Sequence, residues 1–207
     1  MSGSEPDSTD GYRTPTSDSV TANGADARTD LWLFAYGSLM WRPDFHFAEA
    51  RPARLAGYHR RFCLYSYVYR GAPGAPGLVL GLDRGGSCWG RAFRVPASEA
   101  AQVLAAVDAR ELLHDVYRRR LLPIRLGRQN HGGDRVLAFA YVVNRDNTQY
   151  AGKLPPERTI ELVRQGQGQR GSCLDYLRNT VAHLDELGLP DPHLAALLRA
   201  AERDHRA

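Results

Sequence analysis

The sequence predicts an α+β fold, a small and mostly antiparallel six-stranded β-barrel flanked by helices. Three observations lead there. Six strand-like apolar segments can be marked between Leu31 and Val143. One helical stretch interrupts them and three more follow, so strands come first and helices later. Several glycines accompany the strand-like segments, which suits a sheet curved strongly enough to close on itself.

Residues 1 to about 29 hold Ser, Thr, Asp and Gly and almost no large apolar group. Such a segment buries too little surface to offset its ordering entropy, so a disordered acidic tail is expected. Residues 30–207 read as one domain, with no linker and no internal repeat. Strands are expected at roughly 31–36, 54–66, 77–83, 88–95, 116–126 and 135–143. The stretch GLVLGLDRGGSCWGRAFRV reads as a hairpin. Two apolar runs flank Asp83-Arg84-Gly85-Gly86-Ser87, and the glycines supply the positive φ that a short loop requires. LGRQNHGGDRVLAFAYVV repeats the pattern around Gly132-Gly133. The internal helix is expected over about 97–113, entered through Pro96 and Ser98, with Ser98 as its N-cap. Pro155-Pro156 opens the next helix, which ends near Gly166. Leu174, Leu177, Val181 and Leu184 stripe the third at helical spacing, and Asp191-Pro192 starts the last.

Composition narrows the function classes. A hydrophobic fraction of 43% and a charged fraction of 24% fit an ordinary globular protein. No apolar run approaches the roughly 20 residues of a membrane-spanning helix. The N-terminus is polar, unlike a secretory signal, so a cytoplasmic setting is expected. Cys63, Cys88 and Cys173 are widely spaced and form no C-x-x-C pair, which indicates neither a disulfide framework nor a zinc site. Net charge is +4, but residues 1–30 carry −4 and the remainder +8. A basic body can bind nucleic acid by counterion release or attract a small anionic substrate. The basic residues lie inside strands rather than clustering in a loop or tail, which speaks against nucleic acid.

Three features carry candidate chemistry. In ASEAAQVLAAVDARELL, Ala100, Leu104 and Val107 follow i, i+4, i+7, and i+11 falls on Glu111. A carboxylate on an apolar stripe is desolvated, which raises its pKa toward the range of a general acid or base. The plainer alternative is a helix-ending Glu turned to solvent or paired with Arg110 or Arg118. The second feature is the loop Tyr36-Gly37-Ser38-Leu39 at the tip of the first strand. Gly lets a ligand approach the backbone, and successive N–H groups there can form an anion-binding nest, with the Tyr36 or Ser38 hydroxyl as a further donor. An ordinary strand-terminating turn is the alternative. Ser38 lacks the G-x-S-x-G context of a nucleophile. The third feature is the Gly-Pro loop after Arg70, which either closes a pocket mouth or simply crosses between strands. Cys63 is expected to pack as a small hydrophobe. Tyr36, Tyr117, Tyr150 and Tyr176 are candidates for presenting hydroxyls to a cavity.

Five stretches, FAYGSLMWRPDF, GYHRRFC, RGAPGAPGLVLGLDRGGSCWGRAFR, ARELLHDVY and GSCLDYLRNTVAHL, occur in this order. Together they resemble the ChaC family of glutathione-specific γ-glutamylcyclotransferases over about residues 31–200. The resemblance implies a γ-glutamylcyclotransferase-like barrel. It also implies cleavage of the γ-glutamyl amide of glutathione to 5-oxoproline and cysteinylglycine. By that resemblance Glu111 matches the catalytic glutamate and Tyr36-Gly37-Ser38-Leu39 the substrate-binding loop. Arg70, Tyr117, Tyr150 and Tyr176 match further substrate-side positions. The implied chemistry needs no metal, no cofactor and no covalent enzyme intermediate, and its partner is a small molecule rather than nucleic acid, membrane or an obligate protein. Two alternatives stay open: a cyclotransferase for other γ-glutamyl amines or amino acids, and a non-catalytic small-molecule-binding barrel.

Overall fold

The computed structural model describes residues 29–127 and 133–203. The tail expected over 1–29 falls outside these residues except for Thr29, and so does the turn at Gly132. Five strands close a barrel in the order β1-β3-β2-β4-β5. They are β1 (Leu31–Ala35), β2 (Glu49–Ser66), β3 (Gly77–Val95), β4 (Tyr117–Leu126) and β5 (Arg135–Val143). All pairings are antiparallel except β1 with β5, which run parallel through Leu33 and Phe139.

The strand count corrects the expected six. The segments 77–83 and 88–95 are one strand, β3, paired along its length with β2. The hairpin turn is instead the loop 67–76 between β2 and β3. Gly85 and Gly86 do take positive φ, 103° and 67°, but against Gly57 at 83° on β2. Ala56 pairs with Ser87 and Tyr58 with Arg84, so one β2 residue faces two on β3. That is a β-bulge, which uses the same glycine conformations as a turn and bends a ribbon without ending it. The bend lets two long strands wrap a small barrel.

The core is the expected apolar one. Leu78, Leu80 and Leu82 alternate along β3, and Leu33, Leu55, Phe93, Ile124 and Leu126 are buried with them. Each such side chain contributes about 1.5–3 kcal/mol relative to exposure. Cys63 is buried in β2, where burial pushes its thiol up to about 12.

Helix α1 (Ala97–Glu111) lies against β3 and buries Ala100, Val103, Leu104 and Val107. Its N-terminus is a second correction. Ser98 lies inside the helix and makes no cap. Asp30 does that work from across the chain: its carboxylate accepts from the Ala97 amide at 3.1 Å and is held by Arg94 at 2.5 Å. The contact with Arg94, with that amide, keeps the Asp30 carboxyl below its ordinary value. Three helices follow the barrel, α2 (Pro156–Gln165), α3 (Cys173–Glu186) and α4 (Pro192–Arg203). Helices α2 and α3 pack on β3, and the buried Cys173 thiol donates to the Leu78 carbonyl at 3.0 Å. Between them Gln167–Gly168 (β6) and Gly171–Ser172 (β7) form a two-stranded hairpin. No helix among the described residues is long and apolar enough to cross a membrane.

Candidate active site

The end of β1, the end of α1, the start of β4 and one turn of α3 converge on a single pocket. Directly after Tyr36 and Gly37, Ser38–Met40 forms one 3-10 turn. It is closed by the Met40 amide donating to the Gly37 carbonyl at 2.9 Å and the Arg42 amide donating to Ser38 at 2.8 Å. The first N–H groups of such a turn have no partner within it. Ser38 and Leu39, the first residues of this turn, line the pocket. The turn is anchored from behind by the fully buried Met40 and by Trp41, which stacks on His183 at 4.7 Å.

Glu111 is the last residue of α1, one turn past the buried Val107. Its side chain keeps 16% of its exposure, and Arg110 Nε lies 3.2 Å from its carboxylate. Arg110 also donates to Ser38 Oγ at 2.9 Å, to the Arg42 carbonyl at 2.9 Å and to Asp44 at 3.0 Å. It thereby ties the end of α1 to the turn after β1. Burial raises the Glu111 carboxyl above its ordinary value, and the positive charges of Arg110 and Arg170 pull it back only in part. The pairing with Arg110 expected of a surface Glu and the inward placement expected of a catalytic one thus coexist. Arg118 is elsewhere, paired with Asp146 at 2.9 Å.

Tyr36, Tyr117 and Tyr176 form a further part of the wall. Tyr117 donates to the Leu80 carbonyl at 2.6 Å and is hydrogen-bonded to Tyr36. Tyr176 packs edge-on against Phe62, with its hydroxyl beside Gly37. Burial, reinforced by the nearby Glu111 charge, raises all three phenols above their ordinary value. They stay protonated near neutrality and can act as donors.

The inner pocket has a volume of about 40 Å³. It opens onto an outer cleft of about 760 Å³, and Ser38, Glu111, Tyr117 and Tyr176 line both. The inner slot admits the end of a short chain, while the cleft falls in the range of small-molecule sites. Glu111 stands at the junction.

Of the nine residues expected from the sequence, seven meet at the inner pocket: Tyr36, Gly37, Ser38, Leu39, Glu111, Tyr117 and Tyr176. Arg70 stands on the wall of the outer cleft. Its guanidinium donates to the carbonyls of Arg170 and Ser172 and covers the Tyr176 ring at 4.9 Å. Tyr150 lines neither space. It donates to Asp83 at 2.9 Å and lies beneath Arg145.

A family model for ChaC-like proteins matches residues 31–204. The chain belongs to the ChaC-like protein family. It is 32% identical over 195 residues to glutathione-specific γ-glutamylcyclotransferase 1 of Homo sapiens, covering 90% of this chain and 87% of that protein. It is 31% identical over 173 residues to the glutathione-specific γ-glutamylcyclotransferase of Escherichia coli, covering 84% and 73%. In three dimensions it resembles the crystal structure of a γ-glutamyl cyclotransferase specific to glutathione from yeast. There the TM-score is 0.73 at 22% identity, covering 86% of this chain and all of that one. The barrel and helices are therefore a γ-glutamylcyclotransferase fold.

Several residues around the site of this ChaC-like chain carry no local sequence signal. Phe34, Leu80 and Tyr141 complete the inner wall. Tyr141 donates to Asp108 at 2.7 Å, and Arg119 pairs with the same carboxylate. Arg60 is the most consequential of them. It lies buried in β2 and donates to the Tyr36 and Trp89 carbonyls and to Asp191.

Proposed function

We propose that this chain degrades glutathione by cyclising its γ-glutamyl group, releasing 5-oxoproline and cysteinylglycine, with Glu111 as the proton carrier. One observation carries the reading. A desolvated carboxylate, Glu111, lines a small pocket together with Ser38 and Leu39 and also borders the wide cleft beside it. The names of the human and Escherichia coli relatives support glutathione as the substrate.

The γ-glutamyl group contains its own nucleophile. Its α-amine attacks the γ-carbonyl carbon, a five-membered ring forms, and the bond to the cysteine nitrogen breaks. Holding the chain curled is a proximity effect that can contribute on the order of 7–11 kcal/mol. In the inner pocket the α-carboxylate accepts from the Ser38 and Leu39 amides, with the Ser38 hydroxyl beside them. Glu111 takes a proton from the attacking amine and then gives it to the leaving nitrogen. The raised pKa of Glu111 makes it the stronger base for the first transfer and moves it toward the working pH, where one group can both accept and return a proton. Tyr117 gives its proton to the Leu80 carbonyl, so the Tyr176 hydroxyl is the wall donor left for charge developing on the carbonyl oxygen. Arg70 and Tyr150 act at a distance on this reading: Arg70 holds the Tyr176 ring, and Tyr150 belongs to the Asp83 network. The reaction uses the domain over 30–207, calls for no metal or cofactor, and suits a cytoplasmic setting where reduced glutathione is abundant.

The test is incubation of the full chain with reduced glutathione, measuring both products by mass spectrometry, beside γ-glutamyl-alanine. Release of both products from glutathione at a rate well above that from γ-glutamyl-alanine is expected. Faster turnover of γ-glutamyl-alanine would make it a cyclotransferase for γ-glutamyl amino acids, and no turnover of either would make the barrel non-catalytic.

Gly37 offers a finer test. A methyl added there meets the Tyr176 hydroxyl at 3.8 Å and Leu80 at 3.9 Å, ordinary contact distances. Its φ of −131° lies outside the left-handed region that favours glycine. Gly37→Ala should therefore shift stability by about 1 kcal/mol or less. The methyl occupies the pocket, however, and about tenfold or more of kcat/KM should be lost through displacement of the substrate. Thermal denaturation and steady-state kinetics together check this; a wild-type kcat/KM would mean that the γ-glutamyl group lies elsewhere.

A further inference from the structure

We infer that Arg170 reads the C-terminal carboxylate of the substrate, and so helps this site select a γ-glutamyl peptide over other γ-glutamyl compounds. The inference rests on the cyclotransferase reading above. With the γ-glutamyl group in the inner pocket, the leaving dipeptide extends into the outer cleft, because Glu111, Ser38, Tyr117 and Tyr176 border both spaces. Two residues of extended chain reach about 7 Å beyond the reacting carbon. At their end is an anion, and the cleft wall must meet it.

Four arginines line that cleft: Arg42, Arg70, Arg110 and Arg170. Arg70 is committed to two backbone carbonyls and the Tyr176 ring. Arg110 is committed to Glu111, Ser38, Arg42 and Asp44. The Arg42 side chain has no hydrogen bond, ion pair or ring contact among the described residues. Arg170 likewise has no hydrogen-bond acceptor or acidic partner for its guanidinium among the described residues, yet it is held. Its charged plane lies over the Tyr69 ring at 4.5 Å, and its amide donates to the Tyr69 carbonyl at 3.0 Å. The residue sits in the tight β6–β7 hairpin, and its own carbonyl accepts from Arg70. A planar guanidinium fixed by stacking, with its N–H edges uncommitted, suits bidentate recognition of a carboxylate. It is also near enough to Glu111 for its charge to be felt there.

The test compares reduced glutathione with its C-terminal amide, which keeps shape and removes the charge, in the wild-type full chain, Arg170→Gln and Arg170→Lys. The wild type should prefer glutathione over the amide by about tenfold or more in kcat/KM, mainly through KM. Arg170→Gln should lose about tenfold on glutathione and little on the amide, so that the preference disappears. Arg170→Lys should recover part of it. If Arg170→Gln weakens both substrates in the same proportion, or if the wild type does not distinguish them, the inference falls while the cyclotransferase reading stands. If the wild type releases no 5-oxoproline from glutathione, that reading falls and takes this inference with it.

Discussion

Replacing Glu111 by Gln should lower kcat for 5-oxoproline release by about 10²–10⁴-fold, the usual contribution of a positioned acid or base. The amide preserves the size of the side chain, so the pocket and KM should change little. The pH profile supplies an independent readout. Because burial raises the Glu111 pKa, the ionised form needed to accept a proton is lost at a higher pH than for an ordinary Glu. Wild-type kcat/KM should therefore fall on the acid side with an apparent pKa above 4.5, the ordinary value. In Glu111→Gln that acid limb should vanish.

Stability should move the other way. A carboxyl whose folded pKa is raised favours the fold below its unfolded pKa and loses that contribution as pH rises through the folded pKa. As pH rises through the folded pKa the wild type takes on an ionised, desolvated carboxylate at Glu111, and the neutral amide does not. Arg110 keeps Asp44, Ser38 and the Arg42 carbonyl after the substitution. The melting temperature of Glu111→Gln should therefore gain on that of the wild type as pH rises from 4.5, the ordinary value, through the raised folded pKa. Wild-type turnover by the variant would remove Glu111 from the mechanism.

That Glu111 could be found from the sequence follows from local physics. A helix repeats its faces within a few residues, so a carboxylate in line with Ala100, Leu104 and Val107 has to point where they point. The loop at Tyr36–Leu39 was legible for a similar reason, since the break in the apolar run coincides with the end of the strand. The features that were not legible depend on partners far along the chain. The Gly85–Gly86 pair signals positive φ, but only the facing Gly57 decides that it makes a bulge and not a turn. Ser98 has a suitable composition for a cap, but Asp30 takes the role from 67 positions away. Tyr150 carries the same hydroxyl as Tyr117 and Tyr176, yet its bond to the buried Asp83 turns it away from the pocket.

Arg60 is the clearest case of a long-range device, and removing it should have the largest effect on stability. Its side chain is 3% exposed. It donates to the Tyr36 carbonyl, to the Trp89 carbonyl at 2.7 Å and to Asp191 at 2.9 Å, with Met40 sulfur at 3.9 Å. One guanidinium thus joins the end of β1, the turn behind the pocket, strand β3 and the start of α4. Arg60→Met keeps the aliphatic bulk and removes every donor. Two buried carbonyls lose a partner, and Asp191, whose side chain is 17% exposed, loses its counter-charge. Breaking one side of such a pair is expected to destabilise by about 3–5 kcal/mol. For a domain of this size that lowers Tm by on the order of 10 °C. Asp191 retains the amides of His193 and Leu194 as donors. Arg60→Met combined with Asp191→Asn should therefore recover part of the loss, because it removes the stranded charge but keeps an oxygen to cap α4. Arg60→Lys should recover less than its charge suggests, since an ammonium on one stem cannot span three acceptors set by a planar fork. Activity should fall in Arg60→Met even at temperatures where it remains folded. The Tyr36 carbonyl is the last fixed point before Gly37 and Ser38, and releasing it loosens the amides proposed to hold the substrate. A melting temperature within about 2 °C of the wild type, a shift of roughly 1 kcal/mol or less, would show that the four elements are held together without Arg60.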